Sequence, residues 1–280
     1  MCLRRPVRLL FLPAMAALAG VGVALAAAEV PKPLLALVVV GAIALSFGAE
    51  RAAPYEAAWN ESLGDARRDV VHALVNEGAL LGSLAVLPVL AERLTLWDRW
   101  PASWPFAAQV LVAVLAADLG ITLAHMVSHR VGWLWRLHAV HHSVRRFYGL
   151  NGLMKHPLHQ AVETLAGIVP LLLVGLSPAV ASALAVCVAL QLLLQHSNVD
   201  YATGGADRLL ALNRPHRFHH VAAPGEGDVN FGLFTTLWDR ALGTHRADPA
   251  RRFRTEDLGV AGDPDYPTAY LDQLVAPFRR

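Results

Sequence analysis

Charge is in short supply in this chain. Only 16% of its 280 residues are Asp, Glu, Lys or Arg, against about 25% in an ordinary soluble domain, which argues against the usual water-covered surface. Cysteine is almost missing: Cys2 stands at the extreme N-terminus and Cys187 inside an apolar run, so neither a disulfide framework nor a zinc ribbon can be built. Any bound metal must be held by histidine and oxygen. A strong charge excess is lacking too. The net charge is +2 and the basic residues are spread over several loops, which excludes a nucleic-acid-binding stripe. There is no glycine-rich dinucleotide fingerprint, CxxC pair or flavin motif, and no internal repeat.

What the chain has in abundance is apolar sequence, 55% hydrophobic with a mean hydropathy of +0.41. Residues 7–28, 33–49, 70–91 and 104–124 each approach the ~20 residues needed to cross ~30 Å of hydrocarbon. Two shorter stretches, 160–175 and 177–195, are broken by Pro170 and Pro178 and predict a helical hairpin. All but Lys32, Arg93 and Arg99 of the 24 Lys and Arg fall in the N-terminus, the loop 50–69, the segment 125–159 and the tail 196–280, which assigns those parts to the cytoplasm. The expected fold is all-α: a polytopic membrane helical bundle of about four spans plus a helical hairpin, with a cytoplasmic histidine-rich helical cap. Residues 1–103 carry the first transmembrane helices and their loops, 104–246 the histidine-bearing domain, and 247–280 a polar, loop-rich tail. The N-terminal MCLRRPVRLLFLPAMAALAGVGVALAAAEV resembles a signal peptide, but its apolar stretch is longer than a typical h-region and favours a retained helix.

Eleven of the thirteen histidines lie between residues 125 and 220. His125 and His129, in HMVSH, stand at i and i+4, so a helix presents both rings on one face. His138, His141 and His142 stand at i, i+3 and i+4, and His216, His219 and His220 repeat that spacing. Each triplet can give one ring to one ion and its neighbours to a second. His196 ends the second arm of the hairpin, level with these groups. Neutral imidazole suits zinc, copper, iron or nickel, and eight or nine histidines exceed a four-coordinate zinc site, which argues for two ions. Clustered imidazoles repel one another when protonated, so they are costly without a shared ligand. The isolated His72 and His245 read as hydrogen-bonded or snorkelling side chains.

HMVSH, HAVHH and HRFHH, in that order after a transmembrane helix, with KHP between and QHSN before the last, resemble the fatty acid hydroxylase/sterol desaturase superfamily of integral-membrane di-iron oxygenases. The resemblance covers roughly residues 110 to 245. It implies that His125, His129, His138, His141, His142, His216, His219 and His220 are iron ligands and that His196 is a further one. His156, in the KHP element, resembles a recurrent position without an assigned role, His159 stands where an acidic residue is more usual, and both take supporting places. Asp118, two helical turns before His125, is expected either to accept a ligand histidine's second N–H or to make a helix–helix hydrogen bond. Asp228 and Asn230 are expected to orient the rings of the last box, and Trp238 and Asp239 to be structural.

The resemblance further implies two iron ions, dioxygen as co-substrate, and oxidation of a lipid C–H bond to an alcohol or alkene. The substrate would come from the bilayer, and electrons from a separate ferredoxin or cytochrome. The resemblance names no catalytic side chain beyond the metal ligands, and no organic cofactor is expected. Trp133, Trp135, Phe147 and Tyr148 are candidate interfacial residues. Two rival readings remain, a zinc-dependent membrane hydrolase, which needs only three ligands and a water, and a metal transporter, which needs ionisable residues along a path through the spans.

Overall fold

The computed structural model describes residues 3–279, so Cys2 lies outside the described residues. Among these the chain is helical throughout, with only three isolated β-bridges between loops. Five helices are long and apolar enough to cross a membrane: α1 (Arg4–Ala27), α2 (Lys32–Ala52), α3 (Ala66–Leu94), α4 (Phe106–Arg130) and α7 (Pro178–His196). α5 (Gly132–His142) follows α4 directly, and the apolar α6 (Pro157–Leu173) is shorter. The molecule is a multi-pass membrane protein.

The second hairpin arm therefore reaches spanning length, because Pro178 starts α7 instead of breaking it. Pro178 takes the first helical position, where a missing N–H costs nothing, and the Ser177 hydroxyl accepts from the Val180 amide. Pro170 does not break α6 either; the helix runs three residues past it. The turn between the two arms uses Gly175 at φ +93°, where a side chain would be strained.

The membrane part is packed through small residues. A Cβ at Gly120 of α4 would collide with the Ala166 carbonyl of α6, and one at Gly167 would lie 3.1 Å from Ile121, so backbones approach as they do in membrane helix pairs. α1 packs along α7 and α2, its buried Phe11 ring 5.4 Å from Tyr201. Outward faces carry exposed Leu10, Leu37, Val40, Leu74, Val89 and Leu111, the apolar belt expected against lipid.

A cap of shorter helices closes one end: α5, α8 (Asn213–His219), α9 (Leu237–Leu242) and α10 (Tyr270–Arg279). The tail expected to be loop-rich thus ends in a helix that packs on α5 and α3. Its Gln273 is fully buried, donating to the Ser143 hydroxyl (2.9 Å) and the Pro267 carbonyl (2.7 Å). His72 is buried and hydrogen-bonded at both nitrogens, to the Lys155 carbonyl (3.0 Å) and Gln273 Oε1 (2.9 Å). Of the four aromatics expected at the interface, Trp133 is exposed, but Phe147 and Tyr148 are buried. The 3-10 turn at Gly149–Leu153 folds them inward, and a Cβ at Gly152 would strike the Leu192 carbonyl of α7.

Candidate metal centre

The C-termini of α4, α5, α7 and α8 meet, and each carries histidine in its last turn. A helix C-terminus bears about half a negative charge, which favours a cation beside it. Candidate ligand atoms of His125, His129, His138, His142 and His219 all lie within 4.8 Å of one another, and so do those of His141, His196, His216 and His220. Each triplet is divided. His138 and His142, at i and i+4 on one face of α5, join the first set while His141 joins the second. His216 and His220 join the second set while His219 joins the first. The sets are adjacent, with His142 stacked on His220 at 4.7 Å between centroids.

Backbone carbonyls fix the tautomers. His125 Nδ1 donates to the Phe231 carbonyl (2.9 Å), His219 Nδ1 to Val229 (2.9 Å), His141 Nδ1 to Met154 (2.9 Å) and His196 Nδ1 to Leu192 (3.0 Å). A carbonyl only accepts, so Nδ1 carries the proton and Nε2 is left with a bare lone pair. Yet His196 Nε2 stands 3.2 Å from His141 Nε2, two lone pairs with no proton between them. His138 Nε2 stands 2.9 Å from His125 Nε2 and 3.0 Å from His142 Nε2, so it has at most one proton to share between two facing rings. Protonation is no remedy, because burial, followed by neighbouring imidazoles, pushes His138, His141, His142, His216, His219 and His220 well below the usual histidine range. His129 Nε2 is buried with no hydrogen-bond partner. Facing nitrogen lone pairs in a dry site fit metal ions, and the donor set is wholly imidazole.

The surrounding polar residues divide differently from expectation. Asp118 touches no histidine. Its carboxylate accepts from the Leu233, Phe234 and Thr235 amides (2.8–3.0 Å) and the Thr235 hydroxyl (2.6 Å), so it anchors a loop and makes neither bond expected of it. Asp228 accepts from His129 Nδ1 at 2.9 Å, so it orients the first histidine box and not the last. Asn230, at φ +54°, bonds the Pro215 and Arg246 backbones and no ring. His156 caps α6 through the Leu158 amide. His159 Nε2 bonds the Ser128 hydroxyl at 3.0 Å and, with His138 and Glu163, forms a third close group. Glu163 of that group accepts from Lys155 Nζ. Asp239 holds the Phe231 and Gly232 amides, both at 2.8 Å, a structural place as expected. His245 is bonded by Arg240.

Sequence reading missed the parts that fix the rings. The anchors are carbonyls of Phe231, Val229, Met154 and Leu192, whose side chains advertise nothing. Gln195, next to His196, donates to the Gly232 carbonyl at 2.9 Å, and Phe147 lies flat on His196 at 5.0 Å and 19°. Around this centre, an opening of about 220 Å³ is lined by His129, His142, His219, Trp135 and Asp228. A cavity of about 260 Å³ between α3, α4, α6 and α7 is mostly apolar, with Ser83, Lys155, Gln160, Glu163 and Thr164 as its polar lining.

Residues 110–244 match the family model described as fatty acid hydroxylase. The chain is 34% identical over 240 residues to the ornithine lipid hydroxylase OlsE of Rhizobium tropici, covering 82% of this chain and 71% of that one. It is 27% identical over 202 residues to an alkylglycerol monooxygenase of Danio rerio (65% and 43%). To a very-long-chain aldehyde decarbonylase of Oryza sativa it is 28% identical over 161 residues (56% and 61%). No solved structure matches the chain.

Proposed function

Because the chain belongs to the fatty acid hydroxylase superfamily, we propose that it is a membrane di-iron oxygenase that uses dioxygen and external electrons to hydroxylate a lipid C–H bond. His125, His129, His138, His142 and His219 hold one iron, and His141, His196, His216 and His220 the other. One observation carries this reading: two adjacent sets of buried imidazoles turn their Nε2 atoms toward each other at 2.9–3.2 Å, an arrangement that a cation in each set would satisfy, most plainly at His141 and His196, where neither Nε2 carries a proton. When bound, the two ions supply the one-electron chemistry that dioxygen reduction requires.

The chain's own residues do the rest. Carbonyls hold His125, His141, His196 and His219, and Asp228 holds His129, each with its proton on Nδ1, which fixes ligand direction and raises basicity. Phe147 and Phe231, both buried beside the rings, exclude water. The mostly apolar cavity between α3, α4, α6 and α7, which Lys155 and Glu163 help to line, takes the lipid chain from the bilayer. The histidines face the cytoplasm, by the distribution of Lys and Arg, and a ferredoxin or cytochrome supplies electrons. An ornithine lipid is the first substrate to test, given the 34% identical relative. Hydrolysis at a single zinc would leave most of the rings without a purpose, and transport would need ligands along the spans instead of at one end.

The test is metal content per chain of anaerobically purified, detergent-solubilised protein, with Mössbauer spectra after iron-57 loading. Two irons with a coupled-pair spectrum are expected. His219→Ala and His141→Ala should each lose at least one iron while still inserting into the membrane. A single zinc, or unchanged metal in both variants, overturns the reading.

A further inference from the structure

On the side of α8 away from the histidines lies a cleft of about 480 Å³ lined by seven arginines and three aspartates. Arg208, Arg214, Arg240, Arg251 and Arg252 are exposed there. Arg8 pairs with Asp200 and Arg214 with Asp207, and Arg251 with Asp257 outside the cleft. Arg208, Arg240 and Arg252 have no carboxylate within 4.0 Å among the described residues. With seven arginines against three aspartates the cleft is net positive, and a cleft with such an excess focuses its field and raises the encounter rate of an oppositely charged partner by roughly 10- to 1,000-fold.

The cleft is joined to the metal centre by aromatic rings. Tyr55 lines it, with the Arg217 guanidinium 3.8 Å from its ring centroid. Tyr55 lies 5.6 Å from Trp59, Trp59 6.0 Å from Phe147, and Phe147 5.0 Å from His196 and 5.1 Å from His220. Trp59 and Phe147 are fully buried. The other opening, over His129 and Trp135, is lined by Asp228 and by no arginine, so it lacks the basic lining of the cleft.

We propose that an acidic one-electron carrier protein docks at this arginine cleft and that its electrons pass through Tyr55, Trp59 and Phe147 to the second histidine set. This rests on the oxygenase reading, whose balance is RH + O2 + 2 e− + 2 H+ → ROH + H2O. Each docking oxidises one reduced iron–sulfur or haem carrier by one electron, so two dockings serve one turnover, and the protons come from water.

The experiment uses the full chain, iron-loaded, in phosphatidylcholine nanodiscs, with a reduced acidic [2Fe–2S] ferredoxin as donor. Carrier binding and the rate of carrier oxidation are read separately. The rate should fall steeply with salt and drop at least tenfold in Arg208→Glu/Arg252→Glu, while reduction by photoreduced deazaflavin is unchanged. Trp59→Leu should slow transfer without weakening carrier binding, and Trp59→Phe should restore the rate. Binding and transfer indifferent to the charge reversal overturn the proposal. So does an effect seen only when the discs contain phosphatidylglycerol, which assigns the cleft to lipid headgroups. Carrier binding is also measured on metal-free protein, so a failure to load iron counts against the oxygenase reading while the docking surface stands or falls on its own result.

Discussion

Asp118 carries an effect that its position does not announce. A carboxylate inside an apolar spanning helix is expensive and normally functional, and here it gathers three amides and a hydroxyl from the loop 233–235. The same loop begins at Phe231, whose carbonyl fixes the His125 ring. Asp118 therefore acts on the centre at one remove, through backbone. In Asp118→Asn the Oδ1 can still accept from two amides, but the NH2 group would face the Thr235 amide, a donor it cannot accept from, a loss of about 2–4 kcal/mol at charge-assisted hydrogen bonds. The expected outcome is a lower unfolding temperature in detergent and partial loss of iron, milder than in His219→Ala. Unchanged stability and iron content would remove the loop from the chain of support.

Among elements, the spacing of the boxes was the most informative part of the sequence. Four spans and the two-way division of each triplet could be read because hydropathy and the 3.6-residue period are local properties. Where α7 begins could not be read so well, since Pro178 both ends one pattern and starts the next. α10 was invisible for a related reason: its Leu271 and Phe278 are exposed and its buried centre is Gln273, the reverse of the usual pattern. The inward turn of Phe147 and Tyr148 depends on Gly149 and Gly152 meeting α7, a contact between distant segments. Gln273→Leu should leave His72 and Ser143 without their partner, costing about 2 kcal/mol and lowering the midpoint by roughly 5 °C in a thermal melt. A midpoint equal to wild type would mean that α10 is held by something other than this bond.

On the scale of the whole molecule the two histidine sets are unequally placed. The opening toward water is lined by His129, His142 and His219, all of the first set. The second set lies beneath Phe147 and the 3-10 turn, with all four rings buried. A water-soluble chelator should therefore remove metal in two phases, one ion quickly through the mouth guarded by Asp228 and the other slowly. Metal analysis after rapid gel filtration follows this directly. Single-phase loss of both ions would show that access is not what separates them.

The interlocking of the sets also dictates an order of events during synthesis. Every first-set grouping needs His219 and every second-set grouping needs His216 and His220, while all the spanning helices end by His196. A chain leaving the ribosome N-terminus first has thus delivered its last membrane helix before either pocket is complete. Maturation must then be a late step, performed on a protein already threaded through the bilayer. A nascent chain halted anywhere before α8 would carry open, half-built pockets, which quality-control proteases can tell apart from the finished enzyme.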